Sequence, residues 1–216
     1  MAQIWRWKTL KEIFINTDPD KRDRIINSAL EEFSKNSFDK ASTNNIVKNA
    51  GISKGLLYHY FDSKKSLYKH LQAFSVKIMV DAIVENLDWE DTDLFKRIKD
   101  IVLIKFKVCD KYPYLIEFGK NMYENKTIDE MKYIVEDYSP DIYSEVYNRN
   151  IDYTLFKDDI KIEKAVKITE WVMEKLGEDW IKYKVKSNAK YDYEELITEI
   201  DEYLNILRKA FYKGRA

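Results

Sequence analysis

Two histidines, His59 and His70, and one cysteine, Cys109, are the only imidazole and thiol side chains in this 216-residue chain. The histidines stand eleven residues apart, with no H-E-x-x-H or E-x-x-H about either, so their spacing predicts neither a zinc nor a di-iron site. Cys109 reads as a small buried hydrophobe and not as a reactive thiol. The run Gly51-Ile52-Ser53-Lys54-Gly55 lacks the closing Gly-Lys-Ser/Thr of a phosphate-binding loop. Asp158-Asp159, and Asp192 with Glu194-Glu195, fall where helices start, and they read as helix-start acids rather than catalytic pairs. No G-x-S-x-G element is present. These residues predict a protein that is not an enzyme and uses neither cofactor nor metal.

A different chemistry suits the stretch from Gly51 to Phe61, GISKGLLYHYF. It holds two of the chain's five glycines and, in its last four residues, three aromatics and a histidine. A glycine at the end of one short helix and a second in the first turn of the next is the spacing of a helix-turn-helix. Such a motif needs apolar residues where its helices cross, and Ile46, Ala50, Ile52 and Leu57 supply them. Gly51 closes the turn, and Gly55 lets a backbone come near DNA. Leu56 suits a thymine methyl, and Tyr58, His59 and Lys64 suit phosphates. The candidate DNA contacts are therefore Thr43, Ser53, Lys54, Gly55, Leu56, Tyr58, His59, Tyr60 and Lys64, with Phe61 anchored in the core beside Leu57.

The elements that must position these residues are helices. Asp18-Pro19-Asp20 is a capped helix start, and Ile25, Ile26, Ala29, Leu30 and Phe33 mark one face of a helix running to about Asn36. Ser42 or Thr43 caps the next helix, and Ser53 the one after. Leu67, Leu71, Phe74, Ile78 and Ala82 carry a long helix from Asp62-Ser63 to about Leu87. Further helices are predicted from Leu94 to about Tyr112, from Ile128 to Asn148 with a break at Pro140, from Asp159 to about Lys186, and from Tyr191 to Tyr212. The stretch Tyr114 to Met122 is short and apolar. In the last helix Leu196, Ile197, Ile200, Tyr203, Leu204, Leu207 and Phe211 form a stripe broad enough to serve both a core and a partner subunit.

Residues from about 21 to 70 resemble the DNA-binding domain of the tetracycline-repressor (TetR) family. The likeness is carried by Arg24 to Ala29 with Phe33, by Ser42 to Gly51, and by Ile52 to Leu67; Val47 departs from the alanine common there. The resemblance implies an all-α homodimer. Its N-terminal three-helix DNA-binding domain contains the helix-turn-helix, and its C-terminal helical domain binds ligand and dimerises. The implied division is an N-terminal extension of unassigned role at 1–18, the DNA-binding domain at 19–66 and the ligand-binding and dimerisation domain at 67–216. A pocket for a small, largely apolar effector would lie among the middle helices, where Phe106, Phe118, Met122, Tyr143 and Trp171 are the candidates. The last two helices would form the dimer interface through Leu196, Ile200, Tyr203, Leu204 and Leu207. The function implied is a ligand-released repressor on double-stranded operator DNA.

The totals agree with that frame. Residues 1–70 carry 13 Lys+Arg against 8 Asp+Glu, and the remainder 24 against 30, so a basic front precedes an acidic body. The lone cysteine fits a reducing cytoplasm, and no apolar run is long enough to span a membrane. The N-terminal residues have no apolar core and cleavage site of a signal peptide. There Ile4, Trp7, Leu10 and Phe14 share a helical face with Arg6, Lys8 and Lys11 nearby. That pattern fits an extra helix packed on the reader, a basic arm touching DNA, a disordered leader or a mis-assigned start. The rival reading is a helical ligand-binding or interaction protein whose helix-turn-helix is only scaffold.

Overall fold

The computed structural model describes residues 12–123, 135, 138–187 and 193–214. Helices account for nearly all of the regular structure. They are α1 Glu12–Ile15, α2 Pro19–Lys35, α3 Thr43–Ala50, α4 Lys54–Phe61, α5 Lys64–Asn86, α6 Leu94–Lys111, α7 Leu115–Tyr123, α8 Ile142–Asn148, α9 Ile162–Ser187 and α10 Tyr193–Phe211, with a 3-10 turn at Tyr153–Leu155. The one β feature among the described residues is a single bridge between Phe156 and Tyr212. No described helix is long and apolar enough to cross a membrane.

The chain divides into two compact units, Met1–Glu85 with Lys107–Ile142, and Asn86–Phe106 with Tyr143–Ala216. This differs from a boundary at 66/67. Leu67 and Leu71 of α5, and Tyr112, Leu115 and Phe118 around α7, are buried in the same core as Ile25, Leu30, Ile46 and Leu57. Three short helices enclose too little apolar surface to stand alone, so the reader extends its core into α5 and α7.

Polar contacts pin this first unit. The Asp18 carboxylate accepts from the Lys21 amide at 2.9 Å and, with Pro19 in the first turn, starts α2. Tyr112 Oη donates to Asp23 at 2.6 Å, and Lys111 Nζ lies 2.8 Å from the same carboxylate. Burial works to raise the Asp23 pKa, but the hydrogen bonds from Lys111 and Tyr112 outweigh it and hold the group below its ordinary value. Burial, and then the bond to Asp23, push the Tyr112 phenol up to about 12. Tyr114 Oη also donates to Glu31, at 3.1 Å.

In the second unit Leu94, Phe95 and Ile98 of α6 share a core with Ala165 and Leu176 of α9 and with the inner stripe of α10. Its polar centre is Arg97, which is 0% exposed. The guanidinium donates to the carbonyls of Asp91 and Arg149, each at 2.5 Å, and of Val146 at 3.4 Å. Two of those carbonyls lie at the C-terminal end of α8, where a cation is favoured. Arg208 forks onto Asp93 at 2.6 and 3.0 Å, and Tyr212 Oη accepts from the Leu94 amide at 3.2 Å, so the end of α10 is bolted to the start of α6. The break expected at Pro140 is present, since α8 starts two residues later. The predicted helical stretch before it falls mostly outside the described residues.

Candidate DNA-binding surface

The turn between α3 and α4 is built by its backbone. Ser42 caps α3, accepting from the Asn45 amide at 3.5 Å. At the other end Gly51 takes φ +67°, the Gly51 amide donates to Lys48 O at 3.3 Å, and the Ile52 amide donates to Val47 O at 3.0 Å. That pair of bonds closes a left-handed helix terminus, which a side chain at Gly51 would strain. Ser53 Oγ then accepts from the Leu56 amide at 3.1 Å and starts α4. Its hydroxyl proton, and the first-turn amides that have no intrahelical acceptor, remain for an outside partner.

Ile46, Ala50 and Leu57 are buried where the helices cross, each 1% exposed or less, as their spacing predicts. Ser53, Lys54, Gly55 and His59 are exposed, and Thr43, Leu56, Tyr58 and Lys64 are half-buried. The hydroxyls of Thr43 and Tyr58 lie 3.3 Å apart, which joins the start of α3 to the flank of α4. Lys64 Nζ donates to Asp39 O at 3.2 Å and sits 4.9 Å above the Phe38 ring, so its cation is held at the edge of the surface. Leu56 leans partly on the core. Tyr60 departs from the sequence reading. It is 6% exposed, with its ring 5.1 Å from Phe14, and it is a core residue here rather than one at the phosphate edge.

Two supports of this surface lie outside the helix-turn-helix, and only the second was flagged by the sequence, on an apolar face whose other members, Ile4, Trp7 and Leu10, lie outside the described residues. Glu32 of α2, 8% exposed, accepts from the Ser42 amide at 2.7 Å and from the Asn36 and Asn45 side-chain amides at 3.2 Å each. In sequence it is one more helical glutamate. Phe14 of α1, 1% exposed, is the other.

Residues 25–71 match the family model for bacterial regulatory proteins of the tetR family. Over that stretch the chain is similar to the DNA-binding domain of the TetR family. The "Biofilm operon icaADBC HTH-type negative transcriptional regulator IcaR" of Staphylococcus aureus (strain Newman) is 26% identical over 158 residues, 69% of this chain and 74% of that one. The "HTH-type transcriptional regulator UidR" of Escherichia coli K12 is 52% identical over 46 residues, 21% of this chain and 24% of that one. Among solved structures, a TetR regulator from Chloroflexus aurantiacus is similar at TM-score 0.59 and 22% identity, covering 95% of this chain and 99% of the other. The regulator FadR from Bacillus subtilis, solved in complex with stearoyl-CoA, is similar at TM-score 0.58 and 17% identity, covering 85% and 96%. The matched stretch is the DNA-binding part of bacterial tetR-family regulatory proteins, and IcaR, similar over most of its length, is a transcriptional regulator.

The residues expected beyond the reader are placed differently. Phe118 is 0% exposed in the first unit's core, with its ring 5.5 Å from Tyr68, and Met122 leans on that core. Phe106, Tyr143 and Trp171 belong to the second unit, where Phe106 packs on the core and Trp171 is 58% exposed. A polar cleft of about 690 Å³ in the first unit is edged by Asp23, Asn27, Glu31 and Lys111. A smaller one of about 370 Å³ in the second unit is lined by Asn148, Tyr153, Ile162, Glu163, Val166, Lys167 and Glu170. None of the five pocket candidates lines either cleft. Of the five interface candidates, Leu196, Ile200, Leu204 and Leu207 turn into their own subunit's core, and only Tyr203 faces out. Among the described side chains, the outward apolar residues on α9 and α10 are Ile168, Trp171, Tyr203 and Ile206.

Proposed function

We propose that this regulator is a homodimeric repressor. Each subunit lays the first turn of α4 against one half of a roughly palindromic operator, and a small, largely apolar ligand releases the pair. The observation that carries the reading is the outer face of α4. It has a free hydroxyl proton at Ser53, a cation at Lys54, a glycine at Gly55 that the subunit's own contacts do not require, and Tyr58 with His59 on the flank. Amides, hydroxyls and cations of this kind hold phosphates, while residues of the first turn reach base edges.

Dimerisation is assigned to Ile168, Trp171, Tyr203 and Ile206, apolar side chains that α9 and α10 leave uncovered. Repression agrees with the description of IcaR as a negative regulator. The FadR neighbour, solved with stearoyl-CoA, bears on the ligand class only through the apolar acyl chain of that molecule, whose CoA part is large and anionic. Ligand binding in the second unit would lower operator affinity by favouring a state whose readers fit the operator poorly.

Selection of duplexes from a random-sequence library by the full-length protein tests the reading. The expected product is a motif with two inverted half-sites, bound with an affinity that falls steeply with salt. A pool that stays random, or binding indifferent to salt, would sink it.

A further inference from the structure

The turn ahead of α2 reaches the inner side of the recognition helix. Ile13 and Ile15 are 47% and 48% exposed, yet Phe14 between them is 1% exposed. Its ring lies 5.1 Å from Tyr60, 4.7 Å from Phe61 and 5.7 Å from His70. The turn that presents it is itself fastened. The Thr17 amide donates to Phe14 O at 3.2 Å, Thr17 Oγ1 to Ile13 O at 2.8 Å, and Arg22 Nη1 to Ile15 O at 3.1 Å. The helix so covered has 8 residues, too few to hold a pose without tertiary support. Ser53 fixes its N-terminal end, and Phe14 meets its C-terminal end.

We infer that Phe14 is a positioning residue for DNA binding: wedged against Tyr60 and Phe61, it sets the tilt of α4 and so places Tyr58 and His59 for the backbone of the duplex. The inference rests on the DNA-binding reading of α4. A recognition helix that keeps its pose a tenth of the time binds about tenfold more weakly, because apparent affinity scales with the competent fraction.

The full-length variants Phe14→Ala, Phe14→Met and Phe33→Ala test it, with the duplex that the wild-type protein selects from a random library as probe. Phe33 is as buried as Phe14, but its ring neighbours are Phe38, Tyr68 and Phe118 rather than α4. Urea titration gives the folded fraction of each variant, and affinity is referred to that fraction across a salt series. Phe14→Ala is expected to bind about tenfold more weakly with a shallower salt slope as phosphate contacts are lost. Phe14→Met recovers most of the affinity, and Phe33→Ala binds as wild type. Phe14→Val carries the same comparison if the alanine variant does not fold. Folded Phe14→Ala binding as wild type, or Phe33→Ala losing as much, overturns the inference. A wild-type protein that selects no duplex overturns the DNA-binding reading instead.

Discussion

Replacing Gly55 with alanine separates what the fold needs from what a partner needs. Gly55 sits in the first turn of α4 without a positive φ, and an added Cβ there would have only Ser53 Oγ within 4 Å, at 3.9 Å. That is ordinary contact, so the subunit can take the methyl. Glycine within a helix is worse than alanine by about 0.5–1 kcal/mol, and a first-turn site takes the lower end of that range. Gly55→Ala should therefore stabilise the protein by about 0.5 kcal/mol, raising Tm by about 1–2 °C. In the proposed docking the same methyl intrudes where the backbone would approach the duplex. A forced contact of that sort costs about 1–3 kcal/mol, or about 5- to 150-fold in affinity. Thermal melts followed by circular dichroism read the first effect, and anisotropy of a labelled selected duplex reads the second. Gly51→Ala is the contrast, since φ +67° makes a side chain costly by about 1–2 kcal/mol in the free protein. A less stable Gly55→Ala would refute the steric reasoning. A more stable variant with undiminished affinity would show that this turn does not lie close to DNA.

Glu32→Ala removes three acceptor contacts and leaves the Ser42 amide without its partner, so a loss of about 3 kcal/mol in urea denaturation is expected, with Glu32→Gln losing less than half of that because a neutral acceptor remains; equal losses would mean that the contacts depend on the charge. Burial among Phe14, Phe61 and Phe74 depresses the His70 pKa from 6.5 to about 4. The unfolded chain therefore takes up this proton first, and stability drains away as pH falls from about 6.5 to about 4, by up to about 3 kcal/mol. His70→Phe should flatten that part of the stability–pH curve, and an unchanged slope would assign it to other groups. Trp171→Glu with Ile206→Glu should sediment as a monomer of nearly unchanged stability, because both side chains are exposed. Ile200→Glu should unfold the protein instead, and a double variant still dimeric would place the interface elsewhere.

How much was legible in the sequence depends on physical range. Caps and turns are local, so Asp18-Pro19, Gly51 and Ser53 could be placed from their neighbours alone, and the α3 cap was narrowed to Ser42 or Thr43, of which Ser42 is the one used. Helix faces repeat, so Ile25, Ile26, Ala29, Leu30 and Phe33 were readable as one buried stripe. Tyr60 was not. On a short helix with aromatics at Tyr58, Tyr60 and Phe61, which ring turns inward depends on what covers it, and the cover is Phe14, 46 residues upstream. The broad stripe of α10 had a similar ambiguity. Leu196, Ile200, Leu204 and Leu207 lie on its inner line while Tyr203 and Ile206 flank it, and only the arrangement of α6 and α9 decides which edge is used up at home. Pocket residues carry no periodic signature at all, which is why Phe118 and Trp171 ended at opposite extremes of burial.

The recognition helix borrows nearly all of its order. Eight residues cannot pass the cost of helix nucleation unaided, and beyond the Ser53 cap the outward residues Lys54 and Gly55 add little that would hold it. Its pose comes from Leu57, Tyr60 and Phe61 underneath, from Phe14 and His70 against them, and through α3 from the Glu32 contacts at Ser42 and Asn45. Affinity for DNA is then set in two layers with different mutational signatures. Outer residues change salt slope or base preference and leave stability nearly alone. Inner residues lower stability and affinity together, each in the proportion to which it props α4 rather than the rest of the unit. The ratio of the two losses, measured residue by residue, distinguishes a support of the reader from ordinary core, and a single bound duplex is enough to measure it.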